Sequence, residues 1–272
     1  MNNTGKHIKI AITAGVILSV IFIANRWKTP ERTTTETNTS NGEMPAMGQT
    51  QTLEPIDRIQ FLTALFDKTK PPQEIARIIL KDPKDNSSDS LKIALKWAEE
   101  TGLQPLYTLL KGDLAEFHNQ GNTIETARQF MFTGASEHDN TPVRNFLFQQ
   151  GKRWIDKGFS TDSSSVALYN ALIIYQSEYL NQPMAFLGTL RKAQSIDSND
   201  IELNFIHLNL LKKSNQWEKA VKKSEKLISL QPQNPYWLFE ASDLYGQMGD
   251  SVNAKVFLDL AIKQQRKTSN KP

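Results

Sequence analysis

The sequence predicts an all-α chain built as a solenoid of about five helix pairs, and three observations point there. Apolar residues recur at intervals of three and four, as in Ile75, Ile78, Ile79 and in Leu91, Ala94, Leu95, Ala98, while the alternation of a half-buried strand is absent. Turn-forming residues interrupt this pattern roughly every 12–18 residues, from Pro71-Pro72 through Gly102, Asn181-Gln182-Pro183 and Ser214-Asn215 to Gly249-Asp250. Finally, Ala220 and Ala254 lie 34 residues apart, as do Asn215 and Gly249, and self-similarity at a fixed period is the mark of a repeat array.

Composition bounds the chemistry. The 272 residues carry 32 Lys and Arg against 29 Asp and Glu, a formal charge of +3 that is too mild to argue for nucleic acid. Cysteine is absent, which removes disulfides, thiolate metal sites and cysteine nucleophiles.

At the amino end, residues 1–28 read as a membrane anchor with its flanks. Ile8 to Ala24 holds one charge, Lys9, in 17 residues, a length that spans roughly 25 Å as a helix. A cleaved signal peptide is the competing reading, since Lys6, His7 and Lys9 make a basic start. Cleavage after Ala24 would place Phe22 where a small residue is needed, and Trp27 follows as an interfacial ring, so the anchor reading is preferred. A short leading stub and a long following domain favour a cytoplasmic N-terminus, a single pass through the inner (plasma) membrane and a periplasmic body. Residues 29–52 are rich in Thr and Asn with no apolar periodicity and read as a disordered linker.

The body starts with two helices within 53–87, near Ile56–Asp67 and Gln73–Leu80. They are expected to cap the open end of the array, a dimerising pair being the alternative for the stripe Ile56, Ile59, Leu62, Leu65, Phe66. Residues 88–160 hold two divergent pairs, Leu91–Thr101 with Leu103–His118 and Ile124–Thr133 with Val143–Asp156. Residues 161–266 hold the regular repeats, and 267–272 read as a disordered tail.

The last repeat carries Leu238, Ala241, Ser242, Tyr245, Gly249, Ala254, Leu258 and Ala261. One period earlier stand Leu208, Leu211, Asn215, Trp217, Ala220, Leu227 and Pro232, and two periods earlier Ile173, Ile174, Asn181, Leu190 and Ala193. This series resembles the tetratricopeptide repeat (TPR) family, and as a whole the chain resembles bacterial membrane-anchored proteins of that kind. The resemblance implies a right-handed superhelix whose first helix in each pair lines a concave, partner-binding surface. Counted from Ala167, Ile201 and Pro235, the inward slots carry Tyr175 and Tyr179; Glu202, Phe205, Asn209 and Lys212; and Tyr236, Phe239 and Asp243. Aromatic rings with mixed charges suit an extended peptide or a helix. Capture of a C-terminal carboxylate is not expected, because slot five holds Phe205 and only Asn209 fits that clamp.

No nucleotide-binding loop, zinc motif or nucleophile elbow occurs, and His118, His138 and His207 are scattered, so neither cofactor nor metal is expected and an enzyme is disfavoured. The lysines Lys212, Lys213, Lys219, Lys222, Lys223 and Lys226 read as a solvated face, with an anionic partner as the alternative. The function expected is a scaffold or adaptor binding a protein or peptide partner, without nucleic acid, in envelope assembly. Two alternatives remain: a chaperone-like protein of translocation or cytochrome c maturation, and an enzyme with an unrecognised convergent site.

Overall fold

In the computed structural model, residues 55–67, 70–118 and 121–269 are described, and all belong to one compact unit, Leu53–Pro272. The segment Ile8–Ala24, the linker 29–52 and residues 270–272 lie outside the described residues. Among the described residues no helix is long and apolar enough to cross a membrane.

Twelve α-helices occur among the described residues: α1 (Arg58–Leu65), α2 (Gln73–Leu80), α3 (Ser88–Glu100), α4 (Gln104–Phe117), α5 (Thr123–Ser136), α6 (Thr141–Phe159), α7 (Val166–Ile174), α8 (Pro183–Ile196), α9 (Ile201–Lys213), α10 (Trp217–Leu230), α11 (Pro235–Gln247) and α12 (Ser251–Ser269). A short 3-10 turn, Pro83–Asp85, precedes α3, and a π-helical turn, Tyr175–Tyr179, extends α7. From α3 onward the helices pair as α3/α4, α5/α6, α7/α8, α9/α10 and α11/α12, the five pairs expected. First helices of successive pairs also touch, α5 on α7 and α7 on α9, as stacking in a solenoid requires.

Local chemistry sets these boundaries. Asn122, Asn140, Asp200 and Asn234 each accept a backbone N–H at the start of the helix that follows, and Pro142, Pro183 and Pro235 stand in first turns where a missing N–H costs nothing. Within the pairs, the turn residues Asn181, Asn215 and Gly249 have φ of 50°, 55° and 79°. They repeat the 34-residue interval, and a left-handed φ favours Asn or Gly at each of them. The 34-residue period thus recurs in backbone geometry as well as in side chains.

Small residues bring paired helices together. Ala220 is fully buried, and the Ser242 hydroxyl on α11 donates 2.8 Å to the Ala254 carbonyl on α12. At Gly151 on α6 a Cβ would lie 2.2 Å from Met131 Cε and 3.0 Å from Phe130 Cβ on α5, so a larger residue would force those side chains aside. One continuous apolar core runs from Phe61 to Ile206, and Leu208, Leu211, Ala220, Leu227, Trp237 and Leu244 are buried along α9 to α11.

Helix α1 skips along the array. It packs on α6, with Phe61 stacked on Phe146 at 4.4 Å between ring centroids, while Gln149 accepts from the Ile56 N–H and Asn140 donates to the Ala64 carbonyl. Arg58 makes a two-pronged pair with Asp113 of α4, at 3.0 and 2.8 Å, and donates to the Ile79 carbonyl of α2. Of the two leading helices, α2 packs against α3. At the other end α12 runs to Ser269, past the Arg266 boundary expected from sequence, because Arg266 and Lys267 in its last turn favour the negative end of the helix dipole.

Candidate functional site

The nine expected partner-binding residues fall on α7 with its π turn, on α9 and on α11. They divide into a buried set, a buttressed set and an accessible set.

Phe205 and Asn209 belong to the first. Phe205 is 5% exposed and sits 5.6 Å from the Trp237 ring and 6.3 Å from that of Tyr236. It is a wedge between α9 and α11, not a groove contact, because the succeeding helix closes over it. Asn209 is 7% exposed and likewise lies within the packing.

The charges of the second set are satisfied within the chain. Glu202 on α9 is paired with Arg128 of α5 (2.8 Å), which also holds Glu125 (2.7 Å), so this bridge passes over α7. Burial raises the Glu202 carboxyl above its usual range against the opposing pull of Arg128. The consecutive lysines Lys212 and Lys213 reach opposite ways: Lys212 to Glu240 of α11 at 2.7 Å, and Lys213 to Glu178 in the π turn. Glu240 also accepts from the Tyr236 hydroxyl at 3.0 Å, and burial followed by the Glu240 charge pushes that hydroxyl's pKa up.

Tyr175 and Tyr179 converge on Phe148 of α6, Tyr179 stacked at 5.0 Å and Tyr175 edge-on at 6.4 Å. Arg144 lies over the other reach of Phe148, 4.9 Å from its centroid, and donates 2.7 Å to the Glu178 carbonyl. The π turn lets Tyr175 and Tyr179 keep one face, 5.3 Å apart, before Asn181 reverses the chain.

The accessible set is therefore Tyr175, Tyr179, Tyr236 and Phe239, each half-buried, with Asp243 exposed one turn beyond Glu240. Burial, then the neighbouring Glu240, raises the Asp243 carboxyl, with Lys212 opposing. The face is thus stiff, aromatic and on balance acidic.

The sequence slots fall on the π turn of α7, on α9 and on α11, and leave out Arg128, Arg144, Phe148, Glu240 and Trp237, which the structure places against them. The first three sit on α5 and α6, outside the regular repeats, and Glu240 and Trp237 occupy slots to which the pattern assigns no inward role.

Most of the lysine cluster is absorbed by its surroundings, with Lys222 left exposed. Lys219 donates to Gln216, Lys223 to Asn204 and Lys226 to the Ser198 carbonyl. It also lies beside His207, whose ring nitrogen meets Gln194 at 3.2 Å. Burial, with Lys223 and Lys219 adding to it, lowers the His207 pKa to about 4. The sign follows directly: between the ordinary value and this one, the unfolded chain takes up a proton that the folded chain refuses, so stability falls as pH drops. Urea midpoints should show wild type losing about 1 kcal/mol relative to His207→Gln between pH 7 and pH 5. Equal losses in both proteins would remove His207 as the cause. Among the described residues no group of three or more His, Asp or Glu is placed to hold a metal ion.

No protein-family model matches the chain, and no curated protein is matched by its sequence. Solved structures are similar to it at low identity. "Crystal structure of MamA protein" aligns at 14% identity with a TM-score of 0.42, covering 66% of this chain and 92% of that one. "MamA MSR-1 C2" aligns at 11% and 0.40, covering 65% and 96%. YrrB, described as a TPR protein with an unusual peptide-binding site, aligns at 16% and 0.37, covering 71% and 92%.

Proposed function

We propose that this chain is a non-enzymatic adaptor that binds a segment of a protein partner across α7, α9 and α11. The observation that carries the reading is the opposed reach of Lys212 and Lys213, to Glu240 and Glu178. These bridges fix three helices side by side and leave Tyr179, Tyr236 and Phe239 partly accessible next to exposed Asp243. Rings held rigidly offer contact area at little entropic cost, and ion pairs already made need not be desolvated on binding. The Ile8–Ala24 segment would tether the adaptor in the inner membrane, N-terminus in the cytoplasm and repeats in the periplasm, with envelope assembly as its setting.

The test is crosslinked affinity purification of the full chain beside a Phe239→Ser, Asp243→Lys variant. Phe239 is only partly buried and Asp243 is exposed, so helicity by circular dichroism should be unchanged; Phe205→Ser would report core damage instead. One protein enriched by wild type and lost in the variant is the expected result. A partner retained by the variant places binding elsewhere on the molecule. Protease added to spheroplasts should digest the repeats, and their protection would reverse the orientation.

A further inference from the structure

The last helix has two unlike sides. Its inner side packs on α11 through buried Ala261, the Ser242 to Ala254 hydrogen bond and Phe257 stacked on Tyr245 at 5.3 Å. Its outer side is left open. Val252 is 73% exposed, Val256 49% and Leu260 45%, and their spacing of four puts them on one stripe. Lys263 and Lys267 carry that stripe onward, with Lys255, Asp259 and Arg266 along its flank, and all five charges are exposed. A terminal helix whose only task was to close the array would carry polar groups here.

The charge is as uneven as the polarity. Helix α12 holds four basic residues and one acidic residue, a net +3, and this equals the formal charge of the whole chain. Residues 55–250, which precede it in the folded body, carry 22 Lys and Arg against 24 Asp and Glu, a net of −2, so the positive charge of that body is concentrated on this one helix.

We propose that the outer face of α12 lies on an anionic lipid surface. The valines and Leu260 would enter the boundary between headgroups and acyl chains, while the lysine stems reach back so that their ammonium groups and Arg266 meet lipid phosphates. The helix is not apolar enough to cross the bilayer, so it would rest in the interface plane. A second copy of the chain fits less well, since the Lys263 to Lys267 turn would bring like charge toward like charge, whereas an anionic bilayer neutralises it. This contact is independent of the adaptor face, which lies on α7, α9 and α11.

The absence of cysteine makes a local test direct. Full-length protein carrying Val256→Cys is labelled with an environment-sensitive fluorophore and reconstituted into vesicles of phosphatidylcholine alone, or of phosphatidylcholine and phosphatidylglycerol in equal parts. Any N-terminal tether is then the same in both, and only the headgroup charge differs. Emission should shift to the blue and gain roughly twofold in the anionic vesicles only, reverting at high salt. The same label on Lys222→Cys of α10 should not respond. Adding Lys263→Glu, Arg266→Glu and Lys267→Glu should abolish the response, because each lost charge weakens partitioning roughly fivefold. An equal response in both vesicle types, or none in either, overturns the proposal. So does a shift without vesicles that grows with protein concentration, which would assign the stripe to a second copy.

Discussion

Replacing Trp237 by Ala should lower global stability by about 3–5 kcal/mol, read as a fall in the urea midpoint and in Tm. Trp237 is 2% exposed, packs against Phe205 and Tyr236, and donates its indole N–H to Gln231 Oε1 at 2.8 Å. Truncation therefore opens a cavity at the joint between α9 and α11 and leaves Gln231 Oε1 with one donor, the Asn234 amide at 3.2 Å. Hydrogen exchange should show α11 and α12 losing protection first, with α3 to α6 least affected, because a terminal pair has a neighbour on one side only. Uniform loss along the chain would show that the repeats unfold as a single unit.

The second large effect is expected at Arg58→Met. Asp113 is buried beneath the Arg58 guanidinium, and burial already raises its carboxyl above the usual range, Arg58 being the main opposing influence. Removing one member of such a pair leaves an uncompensated buried charge, which costs about 3–5 kcal/mol where the site cannot relax. Here the chain has an escape, since α1 is eight residues long and can lift away to let water in. The loss at pH 7 is thus bounded by the free energy with which α1 docks. It should shrink toward pH 5, as Asp113 accepts a proton and the isolated charge disappears. Exchange should report exposure of α1 and of its footprint on α6, with α9 to α12 unchanged. A pH-independent loss would show that the guanidinium matters through packing alone.

Much of this fold is legible in the sequence, because its determinants are local. Asn181, Asn215 and Gly249 must turn the chain with left-handed φ, and Asn140, Asp200 and Asn234 must satisfy helix starts; each is a choice among few residue types. The face carrying Tyr175, Tyr179, Tyr236 and Phe239 follows from the repeat in the same way. What the repeat cannot convey is depth. Phe205 occupies an inward slot, yet its exposure is set by Trp237, a residue 32 positions later on another helix. Likewise Gln73–Leu80 is readable as a helix, but that α1 bypasses it for α6 depends on Phe61 finding Phe146 and Arg58 finding Asp113. Such encounters leave no periodic trace.

The Arg128–Glu202 bridge gives the molecule an uneven mechanical character. By joining α5 to α9 past the intervening α7, it ties pairs that are not neighbours, while α1 adds a link between the adjoining α3/α4 and α5/α6 pairs through Asp113 and Phe146. Those links act as braces across successive joints, so bending anywhere between α4 and α9 would have to stretch one of them. Beyond α9 the joint is held between adjoining elements, by Lys212 on Glu240, Phe205 on Trp237 and Tyr245 on Glu225. A load applied along the array would therefore be shared between α4 and α9, whereas at the α11/α12 end it would fall on one joint. The Lys212–Glu240 bridge would then act as a latch that keeps the last pair in line with the rest.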